Sequence, residues 1–149
     1  MQLEGTHTFN TPQETIWTLL NDPDVLARTT PGIKELRPLG QDRYEALADI
    51  KMGPINSLFK GEMEVSEKRA PETYKLVVNV DAKIGTVAAT GTILLRETGD
   101  GTEVVFNAEA RLTGMLARMG QRVLGGVGRM LTKQFFQALE REVAQVSQP

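Results

Sequence analysis

The change from sheet to helix falls within residues 87–131, which read VAATGTILLRETGDGTEVVFNAEARLTGMLARMGQRVLGGVGRML. On both sides of Asp100-Gly101, apolar or small residues alternate with mostly polar ones, and this period of two is typical of strands. An Asp-Gly pair between two such runs predicts a hairpin. After Gly114 the period becomes 3.6, which predicts a helix that continues to about Val146. The apolar face of that helix carries Leu116, Met119, Gly120, Val123, Val127, Met130 and Leu131.

The residues before this stretch predict five more strands and two short helices. Strand patterns occupy 3–9, 33–39, 44–52, 59–65 and 74–80, and a loop is expected over 81–86. Thr11 with Glu14 predicts a capping box for a helix that ends near Leu20. Asp22 before Pro23 predicts a second helix that ends near Ala27.

Short links between the strands favour antiparallel pairing. A sheet with one buried face needs a covering layer, and the long predicted helix is the element that can supply it. The sequence therefore predicts a single α+β domain over residues 1–149. Its curved seven-stranded antiparallel sheet wraps around a long C-terminal helix, with two short helices after the first strand.

The composition excludes several classes of protein and site. The chain has 149 residues, no cysteine, a single histidine and a net charge of −2. Disulfides and thiolate chemistry are therefore excluded, and the weak overall charge gives no reason to expect a nucleic-acid partner. The first residues lack the basic start and apolar stretch of a signal peptide, so we expect a cytoplasmic protein.

Small residues at inward-facing strand positions predict an internal cavity between the sheet and the long helix. A second interpretation is that they let the helix backbone approach the sheet more closely. The residues predicted to line the cavity occupy inward-facing alternate positions of the strands or lie on the apolar face of the helix. They are Phe59, Met63, Leu76, Ala89, Gly91, Phe106, Ala108, Met119, Val123 and Met130. Gln134 is predicted as a buried amide on the same face, bonded to backbone or to a ligand.

The long helix contains four glycines within nine residues, and each costs roughly 1 kcal/mol relative to alanine in a helix interior. They are Gly120, Gly125, Gly126 and Gly128. Two interpretations stay open: close packing or a kink, and a helix that bends to admit a bulky ligand.

Few residues suit catalysis or metal binding. His7 faces inward on the first strand, and the sequence spacing shows no acid or base beside it, which favours a structural histidine. A single histidine without cysteines provides no metal cluster, and no serine lies in a nucleophile elbow. We therefore assign no catalytic residue and no metal ligand.

A basic stripe, defined as Arg118, Arg122, Arg129 and Lys133, lies roughly opposite the apolar face of the helix. No acidic residue occurs between Ala110 and Leu139. The stripe is either an ordinary solvated face or a docking patch for anionic lipid headgroups or an acidic partner.

Several short segments resemble the carbon monoxide dehydrogenase G-subunit family over nearly the whole chain. They are residues 3–6 (LEGT), 11–14 (TPQE), 22–26 (DPDVL), 31–32 (PG), 53–55 (GPI), 59–61 (FKG), 99–102 (GDGT) and 134–136 (QFF). This family is part of the helix-grip superfamily, which includes START domains, plant pathogenesis-related allergens and polyketide cyclases.

The resemblance implies a helix-grip fold with an apolar cavity that holds a quinone- or lipid-like ligand. It also implies an accessory role beside a molybdenum hydroxylase of the carbon monoxide dehydrogenase type. Longer family members carry an apolar C-terminal anchor, whereas this sequence stops at Pro149, so we expect at most transient contact with the inner face of the membrane.

The favoured hypothesis is a non-catalytic binding protein or carrier for a hydrophobic ligand, with no other cofactor. Two alternatives remain. One is an enzyme of the polyketide cyclase or dehydratase kind that uses the same cavity, and the other is a protein-interaction module without a ligand.

Overall fold

The computed structural model describes residues 1–146 of the chain. The elements in chain order are β1 (Gln2–Phe9), α1 (Gln13–Leu20), α2 (Pro23–Thr29), β2 (Ile33–Gly40), β3 (Arg43–Met52), β4 (Ile55–Arg69), β5 (Thr73–Ala82), β6 (Gly85–Glu97), β7 (Thr102–Leu112), α3 (Gly114–Arg118) and α4 (Gln121–Val146).

All seven strands form one antiparallel sheet in the order β1-β7-β6-β5-β4-β3-β2, which confirms the predicted architecture. Neighbours in sequence are neighbours in the sheet, except that β1 pairs with β7 and not with β2. The predicted hairpin between β6 and β7 is also confirmed, and the backbone N–H of Thr98 donates to the carbonyl of Gly101 at 2.9 Å across its turn.

The connection between β5 and β6 is tighter than predicted. We expected a loop over 81–86, but β5 continues to Ala82 and β6 begins at Gly85. Gly85 has a φ of +139°, a conformation that glycine adopts at little cost. The chain therefore reverses within two residues, and Ala82 faces Gly85 in the ladder.

The two short helices are confirmed, but only one of the predicted caps forms. The Asp22 carboxylate accepts a hydrogen bond from the backbone N–H of Asp24 at 2.9 Å at the start of α2. The capping box at Thr11 is wrong, because Pro12 occupies the N-cap position of α1 and no side chain caps it. Thr11 is buried instead, and its carbonyl accepts a hydrogen bond from the Thr102 hydroxyl at 2.8 Å.

The predicted continuous C-terminal helix is divided in two. Gly120 has a φ of +89° and lies between the end of α3 at Arg118 and the start of α4 at Gln121. Glycine reaches this left-handed conformation without the steric cost that a side chain imposes. The helical periodicity of α3 therefore does not carry over to α4.

Two separate hydrophobic clusters form the core. The larger joins α1, α2 and the C-terminal half of α4 to one end of the sheet, and the smaller lies at the N-terminal end of α4 around Ile55, Leu116 and Leu124. Between them, the middle of the concave face is only half-buried at Met63, Val78 and Ala89. The sheet and α4 thus leave incompletely filled space between two packed ends.

Candidate functional site

An apolar hollow of about 220 Å³ opens between the first half of α4 and the concave face of the sheet. Its walls are almost entirely aliphatic and aromatic, with residues from β3, β4, β6, β7, α3 and α4. They are Met1, Ile50, Ile55, Phe59, Val87, Ala110, Leu112, Leu116, Leu124, Val127, Gly128 and Leu131. This composition suits an apolar group and offers almost nothing for charge-based recognition.

The predicted cavity residues divide into three groups in the structure. Phe59 lines the apolar hollow, and Phe106 lines a different groove described below. A second group is half-buried and lies in neither space: Met63, Leu76, Ala89, Gly91, Ala108 and Met119. Val123, Met130 and Gln134 are exposed, so their predicted burial is wrong. Ligand contact by any of these residues stays a prediction.

The break at Gly120 explains the error on the helix. The prediction assumed one uninterrupted helix, in which Val123 lies on the same side as Leu116 and Met119. In the first half of α4 the buried residue is Leu124, while Val123 is 42% exposed and Met130 is 53% exposed. Val127 and Leu131, which the predicted apolar face also included, lie on the same side of α4 as Leu124 and line the hollow.

The small inward residues have more than one cause. A Cβ atom built at Gly61 would clash with the backbone oxygen of Asn79, so glycine is needed there for close approach of β4 and β5. A Cβ atom at Gly91 would lie 3.3 Å from the Cβ of Ala108, a tight contact between side chains. Small size at these two sites therefore reflects strand packing as well as the space above the sheet.

The glycines of α4 also differ from one another. A Cβ atom at Gly128 would lie 3.0 Å from Leu3 Cδ1, so this glycine lets α4 pack closely on β1. At Gly125 and Gly126, apart from adjacent residues and neighbouring helix backbone, the atoms of residues 1–146 within 4 Å of such a Cβ atom belong to the Arg129 guanidinium. Close packing thus explains Gly128, and the kink explains Gly120, but neither explains the pair between them.

A second groove of about 400 Å³ lies between β1 and the middle of α4. Leu3, Phe106 and Phe136 supply its apolar surface, and Arg129 and Lys133 stand on its helical side. The sequence did not indicate this groove, because it depends on where an edge strand and a helix meet.

His7 lies in this groove and has a partner that sequence spacing did not reveal. Its Nε2 atom is 2.9 Å from Oε1 of Glu140. Its ring stacks on Phe136 with a centroid separation of 4.9 Å and an interplanar angle of 7°. The expectation that no acid or base lies beside His7 is therefore wrong, because α4 brings Glu140 back to β1 from 133 residues away.

Arg28 and Glu142 join α2 to α4, a link that sequence analysis also missed. Arg28 Nη2 donates to Glu142 Oε1 at 2.7 Å, and Arg28 Nε lies 3.3 Å from both carboxylate oxygens. This hydrogen bonding holds the pKa of Glu142 below its usual value and raises the pKa of Arg28. The pair links α2 to α4 at the end of the sheet where the larger hydrophobic cluster lies.

All four residues of the basic stripe are exposed, but they do not form one helical row, because Arg118 belongs to α3. The same two helices also carry exposed apolar side chains: Met115 in α3 is 54% exposed, in addition to Val123 and Met130 in α4. Across residues 1–146, no helix combines the length and hydropathy needed to cross a membrane. The same residues contain no cluster of three histidine, cysteine or acidic side chains arranged to hold a metal ion.

The sequence matches the model of the family described as the G subunit of carbon monoxide dehydrogenase (CoxG) over residues 5–144. A conserved protein from Geobacillus kaustophilus has a similar structure, with a TM-score of 0.94, 32% identity, and coverage of 97% of this chain and 96% of that one. A START superfamily protein from Mycobacterium smegmatis superposes with a TM-score of 0.75 at 14% identity, covering 98% and 99% of the two chains. No functionally curated protein matches the sequence.

Proposed function

Because the chain belongs to the carbon monoxide dehydrogenase G-subunit (CoxG) family, we propose that it binds or carries a hydrophobic ligand, quinone- or lipid-like, without catalysing a reaction. In this proposal it serves a molybdenum hydroxylase of the carbon monoxide dehydrogenase type. The START-like fold of its structural relatives is consistent with this role. The observation that carries the proposal is the apolar hollow between α4 and the sheet.

The hollow is large enough for only part of a quinone- or lipid-like ligand. At about 30 Å³ for each water-sized group, a space of about 220 Å³ holds one substituted ring or a short piece of chain. The half-buried middle of the sheet adjoins it and offers a path for an apolar tail. Burial of about 300 Å² of ligand surface would contribute on the order of 7 kcal/mol before the costs of association.

The test is native mass spectrometry and organic extraction of protein purified without detergent, combined with a variant that fills the hollow. Ala110→Trp places an indole in the hollow, and Ala88→Trp is a matched control on the exposed side of β6. We expect the parent and Ala88→Trp to retain an apolar ligand and Ala110→Trp to lose it. Equal ligand content in all three folded proteins would contradict the proposal.

Delivery of the ligand would require contact with a membrane or with the partner enzyme. We propose that the basic stripe, together with the exposed Met115, Val123 and Met130 of the same helices, makes this contact at the inner face of the membrane. Each cation near an anionic surface contributes about 1 kcal/mol, so four supply roughly 4 kcal/mol, which corresponds to weak, reversible binding. Salt screens such charges beyond about 8 Å at physiological ionic strength.

Sedimentation with phosphatidylglycerol vesicles at low and high salt tests this contact. We expect binding at low salt, its loss at high salt, and its loss when all four residues are replaced by glutamine. Ligand retention should stay unchanged in each case. If the quadruple variant still sediments as well as the parent, the stripe is a solvated face.

A further inference from the structure

We propose that the groove between β1 and α4 is a separate binding site for a small amphiphilic anion, such as an aromatic or short-chain carboxylate. The groove measures about 400 Å³ and shares no lining residue with the apolar hollow. At about 30 Å³ for each water-sized group, this space accepts a ligand of roughly a dozen non-hydrogen atoms. The site goes beyond the proposed carrier function and does not depend on it.

The floor of the groove forms an apolar and aromatic surface. Phe136 is buried, while Leu3 and Phe106 are half-buried and open toward the space. The His7 ring extends this surface, because it lies nearly parallel to Phe136. A Cβ atom at Gly5 would lie 2.7 Å from the Phe106 ring, so glycine at this position lets Phe106 lie against β1. A flat, apolar ligand body fits such a floor.

The helical side of the groove is cationic. Arg129 and Lys133 are one helical turn apart and both line the space. Among residues 1–146, neither has a carboxylate within ion-pair distance, including Glu4 on the opposite side of the groove. Two neighbouring cations without acidic partners favour an anionic group on the ligand.

The other acid near the groove, Glu140, is engaged by His7. It lies seven residues after Lys133, or about 10 Å along the helix axis. The groove therefore has a cationic end at Arg129 and Lys133, and at its other end the hydrogen-bonded pair of His7 and Glu140. This polarity predicts one orientation for the ligand, with its carboxylate at the cationic end and its apolar body on Phe106 and Phe136.

Two probes of nearly identical shape test the charge requirement. They are 2-naphthoate and 2-acetylnaphthalene, which differ in that a methyl group replaces one carboxylate oxygen. Each is titrated into the ¹⁵N-labelled protein, and amide shifts and affinities are recorded. We expect 2-naphthoate to shift amides of β1 and the middle of α4, and to bind more tightly than the neutral probe.

Matched charge variants test the assignment. Removing two exposed charge contacts by Arg129→Gln/Lys133→Gln should weaken 2-naphthoate binding by about fivefold to thirtyfold and leave the neutral probe unchanged. Lys83→Gln/Arg111→Gln makes the same change in net charge at exposed sites outside the groove and should affect neither probe.

Three outcomes would overturn the proposal. They are equal affinity for the two probes, undiminished 2-naphthoate binding by the Arg129/Lys133 variant, and loss of 2-naphthoate binding in Ala110→Trp, which would place the probe in the apolar hollow. Conversely, an Ala110→Trp variant that loses its apolar ligand and still binds 2-naphthoate shows two independent sites.

Discussion

Replacing Glu142 with glutamine tests whether the tie between α2 and α4 stabilises the fold. The Glu142 side chain is 11% exposed and accepts hydrogen bonds from Arg28, whose own side chain is 56% exposed. A hydrogen bond to a charged group contributes about 1.5–3 kcal/mol where it is shielded from water. Solvent screens the exposed Arg28 guanidinium and lowers this contribution to about 1 kcal/mol. We therefore expect Glu142→Gln to lower the free energy of unfolding at pH 7 by about 1 kcal/mol.

The effect should depend on pH in one direction. The pKa of Glu142 is lower in the folded protein than in the unfolded chain, because Arg28 binds the charged form. The stabilisation is therefore complete above the unfolded pKa of about 4.3 and disappears as the pH falls through the lowered pKa. The difference between the parent and Glu142→Gln should shrink accordingly in acid.

Thermal and urea unfolding measure this directly. For a chain of this length, a loss of about 1 kcal/mol lowers Tm by about 2–4 °C. Arg28→Gln and the double variant complete a cycle that isolates the pair from other effects of each substitution. Two results would refute the reasoning: a Glu142→Gln variant as stable as the parent at pH 7, or a difference that stays constant down to the acid transition.

Three further predictions concern the space above the sheet and the helix that covers it. Ala89→Trp and Ala108→Trp should each cost less than about 1 kcal/mol and block ligand uptake, as thermal melts and ligand extraction will show; severe destabilisation of both would mean that these alanines face packed atoms. His7→Asn should leave ligand retention in the apolar hollow unchanged, because His7 lies in the other groove; loss of the ligand from a folded variant would favour an enzymatic role. Gly126→Ala should raise stability by up to about 1 kcal/mol in urea unfolding, since only the Arg129 guanidinium is near; destabilisation would show that α4 needs this glycine for a bend.

The sequence predicted most of the fold, because its signals are local. Alternation of apolar and polar residues predicted six of the seven strands, Asp100-Gly101 predicted a hairpin, and Asp22 predicted the start of α2. The break at Gly120 was ambiguous, since glycine is compatible with a helix interior as well as with a positive φ. As a result, Val123 was predicted to face the sheet, whereas Leu124 is the residue that is buried there.

The candidate site was predicted less well, because it depends on contacts between distant residues. Phe59 was assigned to the hollow from strand parity alone. The pairing of His7 with Glu140 requires β1 and α4 to come together across most of the chain, and no local pattern encodes that. The same holds for Arg28 with Glu142, which are 114 residues apart.

The pairing of β1 with β7 has a consequence for biosynthesis. Roughly a hundred residues separate the end of β1 from the end of β7, and a ribosome adds about 5–20 residues per second. β1, α1 and α2 therefore leave the ribosome several seconds before the strand and helix that cover them. Contacts this distant in sequence also slow folding itself. We expect the domain to fold only after nearly the whole chain has been released, with a chaperone or the ribosome surface shielding Phe9, Ile16 and Leu19 until then.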